Sequence, residues 1–239
     1  MSHKKKLISV VMSTFNNENS VEKAISSVLN QTYKNFEFLI MDDCSTDGTF
    51  KICTEYSKKD QRIKLFKNKK NLGLTKSLNL LISQSAGELI ARQDADDSSM
   101  NFRFQDQVEL MEKYKLDLIG TRAKLISNQR NIPKISNYFS PKLIYKFKNP
   151  FIHGTLMFKK SVFDSIGGYN ENFYYSQDYK FITDVINKKY KVKNYRKPTY
   201  VLNDLGKRIS IVYLDEQKYF SDCVKKDISP NVLSLKNEN

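Results

Sequence analysis

The sequence holds no apolar run approaching the roughly 20 residues that a membrane-spanning helix needs, so no transmembrane segment is expected in its 239 residues. It has three cysteines, Cys44, Cys53 and Cys223. They show no metal-ligand spacing and close no even disulfide set, which points to a reducing compartment, the cytosol. The two commonest phosphate loops, GxxxxGK[ST] and GxGxxG, are missing. So are zinc-finger spacing, a basic region followed by heptads, and an aromatic RNA-binding strand. The opening MSHKKKLISVVMS starts like a secretion signal, but its apolar part is short and runs into polar TFNNENS without a small-residue cleavage site. There is no internal repeat and no flexible linker. One domain over residues 1–230 is expected, with a frayed tail at 231–239.

What the sequence has in excess is positive charge: 40 Lys and Arg against 26 Asp and Glu, a net +14. Such a surplus suits nucleic acid, an anionic membrane surface or a phosphorylated small substrate. The densest basic run, NKKYKVKNYRK from Asn187 to Lys197, reads either as a solvated helix end and strand edge or as a patch facing membrane or phosphate. A hydrophobic fraction of 40% and an aromatic fraction of 12% suit a globular chain.

The first third alternates. LISVVMS, FEFLIMDD, RIKLFKN and GELIARQ have the length and apolar content of buried strands. Between them, SVEKAISSVLNQ, STDGTFKICTEYSKK and LTKSLNLLISQS carry apolar residues at helical spacing, with Ser20 as a candidate N-cap. Strand and helix in alternation predict an α/β fold with a mostly parallel sheet flanked by helices. Ligands in such sheets collect beyond the carboxyl ends of the strands. STFN follows the first strand, DDCSTDG the second and DADD the fourth, so all three polar clusters are predicted on one edge. The second half is less regular. It reads as the other wall of a cleft, with a good helix at SQDYKFITDVINKK.

Asp94, Asp96 and Asp97 crowd into four positions. Like charges this close raise one another's pKa, and a cation would offset them. The EF-hand ligand series is missing. Magnesium or manganese, by contrast, takes one or two carboxylates plus phosphate oxygens and water. A loop or N-cap run ahead of the next helix is the plainer reading.

Taken together, ISVVMSTFNNENSVEKAISSVLNQTYKNFEFLIMDDCSTDGT, NKKNLGLTKSLNLLI and GELIARQDADD resemble family 2 glycosyltransferases. The likeness is dense over about the first 110 residues and sparse to about residue 210. The wording IARxDADDxS…RFxxQ is similar to transferases that build bacterial surface polysaccharides. The resemblance implies a GT-A (Rossmann-like) fold whose first half, to about residue 110, binds a nucleotide sugar and whose second half, about 111–215, faces the acceptor. It implies that Ser13, Thr14, Phe15, Asn16 and Asp43 cradle the base, usually uracil, with Phe15 stacking on it. Asn71, Gly73, Arg92, Asp94, Ala95 and Asp96 fall in the matching donor segments. Asp94 and Asp96 form the DxD motif, with Asp96 or Asp97 holding Mn2+ or Mg2+ and Arg92 helping to neutralise the cluster.

An inverting transfer needs a base opposite the leaving diphosphate. The family places an acidic pair at a helix start after an aromatic loop. FYYSQDYKF matches it with Asp178 as the base and Gln177 in place of a glutamate. A structural role for Asp178 at a helix N-terminus is the alternative. Tyr174 and Tyr175 offer aromatic faces to an acceptor sugar, His153 in HGT is a candidate acceptor or metal contact, and Lys207 and Arg208 fall where relatives close a loop on the diphosphate. The QxxRW motif of processive members is absent, which implies a single transfer. The expected substrates are a UDP-sugar and a saccharide or lipid-linked saccharide. The expected location is cytoplasmic, peripheral on an anionic membrane surface, with no nucleic acid partner. Two other readings stand beside this one. A sugar-1-phosphate nucleotidyltransferase shares the architecture but needs a Gly-rich loop that STFNNENS lacks. A basic nucleic-acid-binding protein explains the charge but not three polar clusters on one edge.

Overall fold

The computed structural model describes residues 5–134, 138–205 and 213–231. The predicted loop with Lys207 and Arg208, and the tail beyond Asn231, lie outside the described residues.

Four apolar runs form the strands β1 (Ile8–Thr14), β2 (Phe36–Asp42), β3 (Ile63–Lys67) and β4 (Leu89–Arg92). They lie in the order β3-β2-β1-β4, all parallel, with Ile8 opposite both Phe36 and Leu89 and Thr14 opposite Asp42. Parallel neighbours need crossovers, which α1 (Val21–Leu29), α2 (Thr49–Lys59) and α3 (Leu74–Ser83) supply. In α1 the residues Val21, Ala24, Ile25 and Val28 make one buried stripe. Ser20 occupies the N-cap position as predicted, but its hydroxyl donates back to the Asn17 carbonyl (3.4 Å) and does not cap the helix. All of β2 is buried, because helices cover both faces of the sheet. Val10 and Met12 pack on the side of α1 and of α4 (Arg103–Tyr114), and Val11 packs on the side of α3.

The second half completes the sheet with a change of direction. β5 (Ser98–Ser99), β6 (Leu118–Leu125), β7 (Asn131–Ile132), β8 (Met157–Lys159) and β9 (Val192–Leu202) join it. β8 runs antiparallel between β4 and β6, β9 runs parallel to β6, and β5 pairs antiparallel with β9. The chain entering β8 and the chain leaving β9 therefore emerge where β4 ends. α7 (Gln177–Asn187), which follows α5 (Pro141–Ile144) and α6 (Lys160–Ile166), descends to the start of β9, so its own start lies at that edge too. The β6–β9 ladder shifts register where Arg122 faces Pro198, the place for a residue without an amide donor.

A last helix, α8 (Leu214–Lys226), has no counterpart in the sequence reading. It buries Phe220, Cys223 and Val224 against Phe173 and Tyr179. Phe173, one of the three aromatics before the expected base, is thus core. Tyr174 is exposed.

Candidate active site

The predicted polar edge exists. The β1 and β2 loops are tied together: the Asn16 side-chain carbonyl accepts from Thr46 N (2.9 Å), and Asn16 N donates to Ser45 Oγ (3.1 Å). Thr14 is buried, Ser13 is half-buried and Phe15 projects into solvent. Asp43 is 2% exposed. Its carboxylate accepts from Asn68 Nδ2 (2.7 Å), Leu72 N (2.9 Å) and Gly73 N (2.8 Å). It therefore holds the Asn71–Gly73 turn at the start of α3. Gly73 has φ +83°, and a Cβ there would meet the ring of Tyr174 at 3.3 Å. The turn on the first half and the exposed tyrosine on the second thus touch. Asn16, Cys44 and Ser176 also adopt left-handed backbone (φ 52°, 68° and 54°) on three loops of this edge, strain of the kind that gathers at functional sites.

The acidic cluster rests on two buried guanidinium groups. Arg92 bonds the Asp94 carboxylate and donates to the Val11 carbonyl (3.1 Å). Arg103 is fully buried. It donates to the Arg92 carbonyl (2.8 Å), to Ser99 Oγ (2.8 Å) and to Gln107 Oε1 (3.0 Å). Burial lowers its pKa to about 10, which leaves it cationic at neutral pH. The wording RFxxQ contains Arg103 and Gln107 four residues apart, a signal for this role that carried no assignment. Tyr200, unforeseen, takes the Asp94 amide N–H on its hydroxyl (3.0 Å) and lies under the guanidinium of Arg103, 5.1 Å from ring centre to Cζ. Ala95 is buried, Asp96 is exposed and Asp97 is buried, with Oδ1 accepting from Asn203 N (2.8 Å). Burial, then the charges of Asp94 and Asp96, push the Asp97 carboxyl up to about 8.

Hard carboxylate oxygens crowded this way fit a divalent cation. Among the described residues, no group of three or more His, Cys, Asp or Glu is placed to hold a metal ion by itself. A cation here would therefore complete its shell with ligand oxygens and water.

The turn His153–Thr155 enters β8 beside Asp94. A Cβ on Gly154 would collide with the Asp94 carboxylate and stand 2.5 Å from the Tyr200 hydroxyl. Only glycine lets this turn approach. His153 Nε2 shares a hydrogen bond with Tyr169 OH (3.0 Å). Burial, with the Arg92 charge second, drives its pKa down to about 3, so it is neutral.

Asp178 starts α7 with Gln177. Its Oδ2 accepts from Asn149 Nδ2 (2.7 Å). Burial raises its pKa to about 6, with the charge of Asp94 adding to the rise and the Asn149 bond opposing it. It opens on a cleft of about 400 Å³ lined also by Asn149, Ser176, Tyr179 and, from α8, Leu214 and Gln217. Tyr175 packs between Tyr174, edge-on at 5.1 Å, and Tyr213, tilted at 5.4 Å. Sequence reasoning missed Asn149, which sits in KFKNP with no neighbour to mark it.

Residues 9–170, which carry the first-half loops, the acidic cluster and the His153–Thr155 turn of this edge, match the family model described as glycosyl transferase family 2. The putative glycosyltransferase EpsE of Bacillus subtilis is 37% identical over 169 residues, 68% of this chain and 59% of that protein. The O-antigen biosynthesis glycosyltransferase WbnJ of Escherichia coli is 34% identical over 191 residues, 76% of this chain and 72% of that protein. The fold is shared with a crystal structure of S. aureus TarS 1-349 in complex with UDP, at TM-score 0.72 and 20% identity over 95% of this chain and 68% of that one. It is shared also with the mannosyltransferase PcManGT from Pyrobaculum calidifontis in complex with GDP-Man and Mn2+, at TM-score 0.75 and 15% identity over 91% and 62%. Both neighbours have the GT-A architecture that the sequence resemblance implied. An edge built from three strand ends, an acidic cluster seated on it, and a family match spanning well over half of the chain lead to one conclusion: this chain is a glycosyltransferase of glycosyl transferase family 2.

Proposed function

We propose that this chain transfers a single sugar, with inversion, from a UDP-sugar to a saccharide or lipid-linked saccharide acceptor in the synthesis of a bacterial surface polysaccharide. The observation that carries the reading is Asp178. It is a carboxylate poised at about 6, near enough to Asp94 to feel its charge, and it opens on a cleft. A base with a pKa near the working pH is the effective kind.

In this reading Phe15 stacks on the nucleobase beside Ser13, Thr14 and Asn16, and the turn that Asp43 holds supports the donor with Asn71 and Gly73. Asp94, buttressed by Arg92, takes the donor's polar groups. Asp96 and Asp97 would hold Mn2+ or Mg2+, which as a Lewis acid stabilises charge on the departing diphosphate. Asp178 accepts the acceptor hydroxyl proton as that oxygen bonds to the anomeric carbon. The bond from the anomeric carbon to the phosphate oxygen breaks on the opposite face, and its electron pair leaves with UDP. Residues up to about 110 serve the donor, and about 111–215 serve the acceptor, where Tyr174 and Tyr175 offer sugar-stacking faces. His153 is neutral and hydrogen-bonded to Tyr169, within the field of Arg92 and Asp94. A location at the inner face of the membrane belongs to the same reading.

Named relatives lend it support. One E. coli relative, 35% identical over 129 residues and 54% of this chain, is the UDP-Glc:alpha-D-GlcNAc-diphosphoundecaprenol beta-1,3-glucosyltransferase WfgD. The test is a donor-hydrolysis screen across UDP-, GDP- and dTDP-sugars with and without manganese. Manganese-dependent release of UDP is expected, and release of GDP or dTDP alone would overturn the donor assignment.

A further inference from the structure

Between Asp117 and Asp164 the chain carries nine lysines and arginines and no acidic residue. Within that stretch, around α5, large apolar side chains face solvent: Tyr138, Phe139, Leu143 (62% exposed) and Phe147 (74%). Exposed Lys142, Lys146 and Lys148 alternate with them. The inner side of the segment is anchored. Tyr145 OH donates to Asn187 Oδ1 (3.2 Å), the Tyr145 carbonyl accepts from Tyr179 OH, and the Pro150 carbonyl accepts from Asn194 Nδ2 (2.9 Å). Arg196 of the basic run on β9 lies over the Tyr138 ring, 5.0 Å from its centroid. The outer side chains are thus held out by a fixed backbone.

We infer that residues 138–148, together with Arg196 beside Tyr138, dock the enzyme on an anionic lipid bilayer surface. The chemistry is that of an interfacial segment: aromatic and leucine side chains enter the headgroup region while lysines meet anionic lipids. Charge complementarity selects this occupant, because no carboxylate interrupts the apolar stretch. The placement is functional as well, a point that rests on the transferase reading above. Phe147 is two residues from Asn149, at most about 7.6 Å along the chain, and Asn149 holds Asp178. The docking surface and the residue that holds the base thus share one short segment, and an acceptor carried on a lipid would meet the cleft at the membrane.

The experiment is co-sedimentation of the full chain with phosphatidylcholine vesicles and with vesicles containing phosphatidylglycerol, at rising salt. Donor hydrolysis is measured on the same preparations. Leu143→Ser/Phe147→Ser and Lys142→Glu/Lys146→Glu are compared with the wild type. Binding to the phosphatidylglycerol vesicles that weakens with salt and falls at least about tenfold in both variants, with donor hydrolysis unchanged, is the expected result. Absence of wild-type binding, or equal binding by wild type and variants, overturns the inference. So does a wild-type dimer that the variants dissociate without vesicles, or oligonucleotide binding lost in the same variants. A wild type that hydrolyses donor but does not bind the vesicles refutes only the docking surface. Vesicle binding without any donor turnover refutes only the transferase reading.

Discussion

Asn149 is clamped at both ends: its side-chain carbonyl takes the Phe151 amide N–H at 3.0 Å while its Nδ2 donates to Asp178 Oδ2 at 2.7 Å. The first bond fixes which way the amide faces, so the second always presents a donor to the base. That donor stabilises the charged carboxylate and opposes the rise caused by burial. In Asn149→Ala the Asp178 pKa should therefore climb further, and the acidic limb of kcat/KM should move to higher pH. Turnover at pH 7 should fall about 10–100-fold through lost ionisation and lost positioning, with UDP affinity unchanged. A pH profile and a binding isotherm on the same variant check this. An unmoved limb would mean that Asn149 is merely structural.

Stability carries the same signature with the opposite sign. The Asp178 carboxyl is raised from 3.8 to about 6 in the fold, so the folded chain retains a proton that the unfolded chain has lost. Stability thus falls as pH rises from about 4 to about 6, and the full cost persists above that window. Asp178→Asn removes the buried charge and should raise Tm at pH 7–8, by up to about 3 kcal/mol of stability. Below about pH 4 it should match the wild type. Thermal melts at pH 4 and pH 8 settle it, and a lower Tm at pH 8 would show that the charge is stabilising.

Gly154 offers a test of the acidic cluster from behind. In Gly154→Ala the new methyl must displace Asp94 or the Tyr200 hydroxyl. The predicted result is a folded enzyme, destabilised by about 1–3 kcal/mol, with turnover reduced more strongly than stability. Denaturant melts beside initial rates check it. Wild-type rates would show that the turn can retreat without moving Asp94.

For the cation, Asp96→Ala and Asp97→Ala should each weaken the manganese-dependent part of UDP binding and nearly abolish turnover, as chelation should in the wild type. Calorimetry of UDP with and without manganese measures it. Equal affinities in both conditions for both variants would remove the metal assignment.

How much of this could be read from the sequence depended on range. ISVVMST and FEFLIMD announce buried parallel strands because their burial is nearly continuous, and the parallel rule then brings Thr14, Asp42 and Arg92 to one edge. The cluster DADD is dense enough to stand out. What stayed hidden was contributed by partners far along the chain. Tyr200 reaches Asp94 only because β8 reverses direction and β9 follows β6 back to the same edge. Asn149 lies 29 positions from Asp178, and no local pattern links them. Asp43 lies at the edge as the strand pattern predicts, and its carboxylate also accepts from three protein donors that the pattern does not name. Strand pattern places a residue at an edge without saying which neighbours claim its oxygens. The helix α8 shows Phe220, Cys223 and Val224 at helical spacing, a weak stripe in an otherwise polar segment.

The most direct test of the account is a paired measurement on Asp178→Asn: kcat for sugar transfer and affinity for UDP with manganese, in one preparation. The amide keeps the shape and can still accept from Asn149, but it cannot take the acceptor's proton. The account predicts UDP affinity close to wild type and kcat lower by about 10²–10⁴-fold. Turnover close to wild type with the same affinity would contradict it and remove Asp178 from the chemistry.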